Sequence, residues 1–366
     1  MTGSQPAAAA PVILVTCGDP SGIGPEVAAA AWSAPEAHAR ARLRIVADPA
    51  LIAEAVASLP APRGRNIAVI EPDDPRPSDA GTLLVIPLPG KPAAAVPRGR
   101  PTAAGGHAAV AALDTAFRLV GTGQARAIVT GPLHKEALHA AGYDVPGHTE
   151  WLARACGLPD TAASMMLWLP PTPSTPNADG LGVVHVTLHE PLRAAVGHLT
   201  TEGIVHAGRR LDGLLAALLG HRPRIGVAAL NPHAGEGGLF GDEESRIIAP
   251  AVAALAAEGV DAIGPLPADT LFLRASRGEF SGVVAMYHDQ GHIPVKLLGM
   301  HRAVNITLGL PLVRTSVAHG TAFDIVGTAS ADPASMLSAI DAAARLVATG
   351  WPPVALMAAA ARSGSR

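Results

Sequence analysis

Three histidines close apolar runs in this 366-residue chain: His189 in GVVHVTLH (182–189), His233 in PRIGVAALNPH (223–233) and His288 in FSGVVAMYH (280–288). Runs of this kind read as buried strands, and the carboxyl ends of parallel strands are where an α/β sheet carries polar groups over a rigid floor. A lone histidine there is ordinarily a satisfied polar residue. Three in matching positions point to one divalent cation, with coordination positions left for substrate oxygens. His233 lies in LNPHAGEGGLFGDEE, where Asp242, Glu243 and Glu244 suit a helix start and read as caps first. Asp289 either orients a neighbouring histidine or sits solvated in the turn, and His292 carries the weakest signal of the group.

A second concentration is TGPLHKEALHAAGYDVPGHTEWLA (130–153). Thr130, Gly131 and Pro132 make a sharp turn before a helix, and His148 and Thr149 open the next one. Free N–H groups at a helix start attract phosphate or carboxylate, while Thr149 can equally serve as a cap. A third is VNITLGLPLVRTSVAHGTAFDIVG, where Asn305 follows Lys296 by nine residues and Arg314 follows Asn305 by nine. Lysine as a point charge and arginine as a planar fork suit a phosphate. Of 27 basic side chains only Lys91, Lys135 and Lys296 are lysines. Lys91 sits in a plain loop, whereas Lys135 and Lys296 fall inside motif-like segments. HGTAFD (319–324) reads as a tight glycine turn entering a helix, a backbone cradle for a cofactor. TCGDPSGIGPEV (16–27) follows a strand and opens a helix but lacks the Gly-x-Gly-x-x-Gly spacing of an ordinary dinucleotide site.

The elements that position these groups alternate. Strands are expected at 11–16, 43–48, 82–87 and 125–131 in a first half, and at 182–189, 223–233 and 280–288 in a second. Helices are expected at 108–120, 201–219 and 243–259, and the last helical stretch, DPASMLSAIDAAARLVATG, packs back on one half. Continuous apolar strands between helices mean mostly parallel sheets with both faces covered. The run 170–180, PPTPSTPNADG, reads as a mobile surface excursion. Hydrophobic residues make up 49% of the chain and charged residues 16%, enough for a large core. A net charge of -3 gives no footprint for nucleic acid or an anionic membrane. No signal peptide and no membrane span is expected. Two distant cysteines, Cys17 and Cys156, fit a reducing cytoplasm.

GDPSGIGPE, TGPLHKEAL, GHTEWLA, LNPHAGEGG, GPLPADTLF, YHDQGH and NITLGLPLVRTSVAHGTA, in that order from about residue 12 to 330, together resemble the 4-hydroxythreonine-4-phosphate dehydrogenase family. GIGPEV and HGTAFDIVG are also similar to pieces of the decarboxylating isocitrate and isopropylmalate dehydrogenases. The resemblance implies an α/β fold of two α/β/α units with mostly parallel sheets, isocitrate dehydrogenase-like, with the active site in the cleft between them. Residues 1–147 plus 322–366 would form one domain. Residues 148–321 would form the other, with the metal histidines and much of a homodimer interface.

It further implies a metal (zinc, magnesium or cobalt) held by His189 and His233 of one subunit and His288 of the other. Substrate contacts would come from His148, Thr149, Lys296, Asn305 and Arg314, with Lys296 and Asp269 as catalytic candidates. Gly320 and Thr321 would touch NAD or NADP. The implied reaction oxidises 4-phosphooxy-L-threonine to a β-keto acid that decarboxylates to 3-amino-2-oxopropyl phosphate, as in pyridoxal phosphate biosynthesis. Two departures bear on the substrate: His292-Ile293-Pro294 stands where the vitamin B6 enzymes read Leu-Pro, and Ala318 where aspartate is common. The HDQGHIPVK and GLFGDEE forms resemble relatives acting on 4-phospho-D-threonate, 4-phospho-D-erythronate or a terephthalate dihydrodiol.

Overall fold

The computed structural model describes residues 10–60, 66–89, 96–174 and 176–352; Lys91 lies outside them. Among these described residues twelve strands follow in chain order: β1 (Val12–Thr16), β2 (Arg42–Val46), β3 (Asn66–Val69), β4 (Thr82–Ile86), β5 (Ala127–Thr130), β6 (Ser164–Leu169), β7 (Leu181–His185), β8 (Ile225–Ala228), β9 (Ala262–Leu266), β10 (Gly282–Ala285), β11 (Val304–Leu308) and β12 (Val313–Val317). Residues up to Leu152, with Leu312–Ser316 and Gly320–Pro352, form one compact unit; Ala153–Pro311 and Val317–His319 form the other. His148, Thr149 and Arg314 therefore belong to the first unit, whereas the sequence reading grouped them with the metal histidines.

The first unit's strands run β3-β4-β2-β1-β5-β12, every pair parallel. Its inner strands are near-continuous apolar runs because helices cover both faces. Thr102 starts the long helix Ala103–Gly121, its hydroxyl accepting from Gly105 N at 3.0 Å. The last helix, Ala334–Ala348, packs on β5 and β1, and Thr315 Oγ1 donates to Ala339 O at 2.8 Å.

In the second unit the order is β11-β6-β7-β10-β8-β9. β6 is antiparallel to both neighbours and the remaining pairs are parallel. Its core gathers Leu167, Val183, Leu271, Phe280, Val283 and Val295. Helix Thr201–Leu219 is capped by Thr200 and ends at Gly220 with φ of 80°.

Several expectations change. The three strands stop earlier than their apolar runs suggested, at His185, Ala228 and Ala285. His189 and His233 thus stand on loops beyond the sheet, and His288 opens helix His288–Gly299. β3, β6, β9, β11 and β12 were not anticipated. The HGTAFD turn leads through left-handed Ala322 (φ 42°) into a single turn of 3-10 helix, Phe323–Ile325, and not into an α-helix. The excursion near 177 is anchored: buried Asn177 donates Nδ2 to Ala275 O at 2.8 Å and to Phe280 O at 3.1 Å. Among the described residues, no helix is long and apolar enough to cross a membrane.

Candidate active site

β8 and β10 are parallel neighbours, so the loops leaving their carboxyl ends start side by side. Buried Gln290 ties the two starts together. Its Nε2 donates to Ala229 O at 2.7 Å, and its Oε1 accepts from Met286 N at 2.6 Å. On the β8 side the chain then makes a left-handed turn through His233, Ala234, Gly235, Glu236 and Gly237, with φ between 45° and 79°. For three non-glycine residues this conformation costs roughly 3–6 kcal/mol.

Glu244, read from sequence as a helix cap, supplies the compensation. Its Oε1 accepts from Leu230 N (2.8 Å) and Asn231 N (2.7 Å), and its Oε2 from Asn231 Nδ2 (3.0 Å). Hydrogen bonds to a charged group contribute about 1.5–3 kcal/mol each, so three are comparable with the strain. Burial opposes the charge of Glu244, yet the bonds from Asn231 and Leu230 hold its pKa below the ordinary value. Gly235 admits this carboxylate: a Cβ there would lie 2.8 Å from Glu244 Oε2.

His233 and His288 share one arrangement. His233 Nδ1 meets Glu236 Oε2 at 2.9 Å, and His288 Nδ1 meets Asp289 Oδ1 at 2.6 Å. A carboxylate only accepts, so each Nδ1 carries the hydrogen and each Nε2 keeps a lone pair, the tautomer that a cation requires. Surface pairs such as His221 with Asp179 also exist, but these two stand beyond the ends of adjacent strands. Asp289 thus orients a histidine, and Glu236 is a partner the sequence reading missed.

His189 is exposed with its ring centroid 5.8 Å from that of His288. A cavity of about 520 Å³ is lined by His189, His288, Asp289, Tyr287 and Glu190. The ring of His233 faces Phe240 at 6.4 Å instead. Among the described residues of one chain, no group of three His, Cys, Asp or Glu is arranged to hold a metal ion.

Two further histidines join His288. His185, the buried last residue of β7, places Nε2 3.1 Å from His292 Nδ1, and His292 stacks on His288 at 3.7 Å between centroids with 11° between planes. Burial, then the neighbouring imidazoles, hold His185 well below its ordinary pKa and bring His292 down to about 4. His288, His292 and Lys296 fall at i, i+4 and i+8 on one helix face, with Lys296 exposed. Asp269 is exposed in the first turn of helix Ala268–Ser276, which packs beside the 232–238 turn.

In the first unit, Arg314 on β12 is buried and donates Nη2 to Thr130 Oγ1 on β5 at 2.6 Å. Burial lowers its pKa to about 10, against the charge of Glu150, and the group stays cationic. His148 is buried nearby with no hydrogen-bond partner for Nε2, and Thr149 is half-buried beside it. In the second unit Asn305 on β11 donates Nδ2 to Val317 O at 3.4 Å and leaves Oδ1 unbonded.

The glycine-rich loop of the first unit is locked to the 319–327 turn. Ile23 N donates to Thr321 O at 3.0 Å, and buried Glu26 accepts from Arg98 Nη2 (2.8 Å) and Gly327 N (3.0 Å). Thr321 is buried, while Gly320 is exposed with open space where a Cβ would be. A larger cavity, about 770 Å³, opens at the ends of β1, β2 and β4 and includes none of the predicted site residues.

His148 makes a pH prediction. Burial, then the charge of Arg314, puts its folded pKa well below the ordinary 6.5. The folded state therefore binds fewer protons than the unfolded chain below that pH, so the stabilisation is complete above it and lost as pH falls. Thermal unfolding should show Tm dropping as pH is lowered through 6.5 towards the folded pKa, and His148→Gln should flatten that slope. An unchanged slope would remove His148 from the acid response.

Comparison with known proteins fits this geometry. Residues 39–343 match the family model described as pyridoxal phosphate biosynthetic protein PdxA. A 4-hydroxythreonine-4-phosphate dehydrogenase of Beijerinckia indica is 46% identical over 342 residues, 91% of this chain and 94% of that one. A D-threonate 4-phosphate dehydrogenase of Cupriavidus necator is 45% identical over 338 residues, 92% and 97% of the two chains. The crystal structure of 4-hydroxythreonine-4-phosphate dehydrogenase from Klebsiella pneumoniae superposes with a TM-score of 0.77 at 40% identity, covering 93% of this chain and 98% of that one. At the level of fold alone, a β-decarboxylating dehydrogenase from Thermococcus kodakarensis matches with a TM-score of 0.50 at 14% identity, over 97% of this chain and 88% of that one. The expected α/β fold with mostly parallel sheets is therefore present, and the chain is a dehydrogenase that belongs to the PdxA family.

Proposed function

We propose that the enzyme oxidises the secondary alcohol of 4-phosphooxy-L-threonine, with NAD or NADP as hydride acceptor. The β-keto acid then loses carbon dioxide to give 3-amino-2-oxopropyl phosphate, as in pyridoxal phosphate biosynthesis. The observation that carries this reading is the matched pair His233–Glu236 and His288–Asp289, each leaving Nε2 as a donor. That donor chemistry fits a divalent cation such as zinc, magnesium or cobalt, held by His189, His233 and His288. When bound, the cation supplies Lewis acidity to a substrate oxygen.

The chain's own groups do the rest. Arg314 fixes the phosphate with Thr149 and the neutral ring of His148, and Asn305 offers an unbonded Oδ1 to a donor on the substrate. Lys296, on the helix face of His288, moves the proton that leaves the hydroxyl or the one that returns to carbon after decarboxylation. Asp269 orients a reacting group from the neighbouring helix start. Gly320 and Thr321, on a turn fixed by Glu26, would hold the dinucleotide.

The active form in this reading is a cytoplasmic homodimer, with His189 and His233 of one copy completing a metal site with His288 of the second. Its support is an apolar patch on the helix that begins with His288 and just past its end: Ile293 and Leu297 are 54% and 82% exposed at i and i+4, and Met300, the residue after the helix, is 46% exposed. Both cysteines are free thiols, in keeping with a reducing compartment. A second reading keeps the chemistry but takes 4-phospho-D-threonate, favoured by the similarity to the D-threonate 4-phosphate dehydrogenase and by His292-Ile293-Pro294.

Formation of reduced cofactor from 4-phosphooxy-L-threonine, 4-phospho-D-threonate and a terephthalate dihydrodiol, with NAD or NADP and each metal, decides among substrates; turnover of the diol alone would refute the phosphorylated class. Arg314→Ala should raise KM for the phosphorylated substrate about 10–100-fold, the loss of a charge-assisted contact. Equal effects on phosphorylated and unphosphorylated substrates would contradict the phosphate role. His233→Ala should lose metal binding and turnover with its circular dichroism unchanged; retained turnover removes it from the site. Leu297→Asp should shift the light-scattering mass from twice 36.9 kDa towards that single-chain value, and a parent protein already at the single-chain mass would exclude the shared site.

A further inference from the structure

We infer that His292, backed by His185, is a positioning residue that fixes the plane of the His288 ring so that its Nε2 faces a divalent cation. The inference rests on the metal reading above and extends it to two histidines outside the proposed ligand set. The bond from His288 Nδ1 to Asp289 is a single anchor to a carboxylate that is 69% exposed. The ring turns about its Cβ–Cγ bond, and an anchor that is itself solvated can follow it. The face-to-face contact with His292 removes this freedom, since rings 3.7 Å apart and 11° from parallel turn only together.

His292 is itself held by two contacts. Its Nδ1 lies 3.2 Å from His288 O and 3.1 Å from His185 Nε2. A carbonyl oxygen only accepts, so His292 Nδ1 carries a hydrogen toward His288 O, and the His185 ring is packed against the same nitrogen. His185 Nδ1 is buried without a hydrogen-bond partner. The local sequence is built for the contact: an added Cβ at Gly291 would lie 2.3 Å from His185 Nε2. The His292 ring also presents a π-face to an imidazole that becomes electron-poor on binding a cation, a favourable arrangement.

Titration of the metal-free whole protein with Co²⁺, followed by calorimetry and by the visible absorption of the bound ion, tests the assignment. His292→Leu, which removes both the stack and the hydrogen bonds, should weaken Co²⁺ binding roughly 10–100-fold, the usual effect of losing a group that orients a ligand. It should also alter the absorption spectrum of the ion that still binds. His292→Gln, which keeps a donor within reach of His288 O, should fall between Leu and the parent and guards against a Leu variant that does not fold. A parent-like affinity and spectrum in either folded variant would overturn the role of His292 while leaving the metal reading intact. Failure of the unaltered protein to bind Co²⁺ would overturn the metal reading and this assignment with it.

Discussion

The chemistry of the second unit depends on one buried amide. Parallel strands leave their last N–H and C=O groups unmatched at the carboxyl edge, and a sheet that spends those groups on water cannot hold two loops in fixed relation. Gln290 takes one such group from each of two neighbouring strands, Ala229 O after β8 and Met286 N after β10. The turn with His233 and the helix with His288 therefore depart from a common anchor. A side chain with a donor and an acceptor at the same reach is needed, and glutamine has both while glutamate at neutral pH does not.

Around that anchor the unit uses carboxylates sparingly and with distinct tasks. Glu244 is buried and faces backbone N–H groups, so it shapes the loop. Glu236 and Asp289 are exposed and face imidazoles, so they select tautomers. In the first unit the balance is reversed. A buried arginine, Arg314, stands beside a buried neutral histidine, which favours an anion that brings its own charge. One region thus suits a cation and the other an anion.

Much of this is legible in the residue pattern, for identifiable reasons. The continuous apolar runs of β1, β4, β5 and β10 can only be buried strands, and strand–helix alternation gave the parallel architecture. β12, Val-Arg-Thr-Ser-Val, escaped because its polar residues read as surface chemistry, whereas all five are buried; its β-branched content was the available signal. β9 holds a proline, which argues against a strand by rule. The strand ends were overrun because Thr187, Leu188 and Leu230 continue the apolar or β-branched pattern past the last ladder bond. Candidate ligands were visible as residue types, but their partners were not. Glu236 and Glu244 look alike in sequence, and only the handedness of the turn between them assigns one to a ring and the other to the backbone.

That handedness has a mechanical meaning. An ordinary loop would let the His233 imidazole sample many places, because its backbone would rest in its own minimum. Here residues 233–237 occupy the mirror image of that minimum and stay there only while the Glu244 carboxylate grips the preceding amides. The loop is in effect a cocked latch, with the imidazole as its tongue and a buried anion as its catch. Releasing that catch would remove the bonds that offset the strain of the turn, and the ring would lose its fixed place.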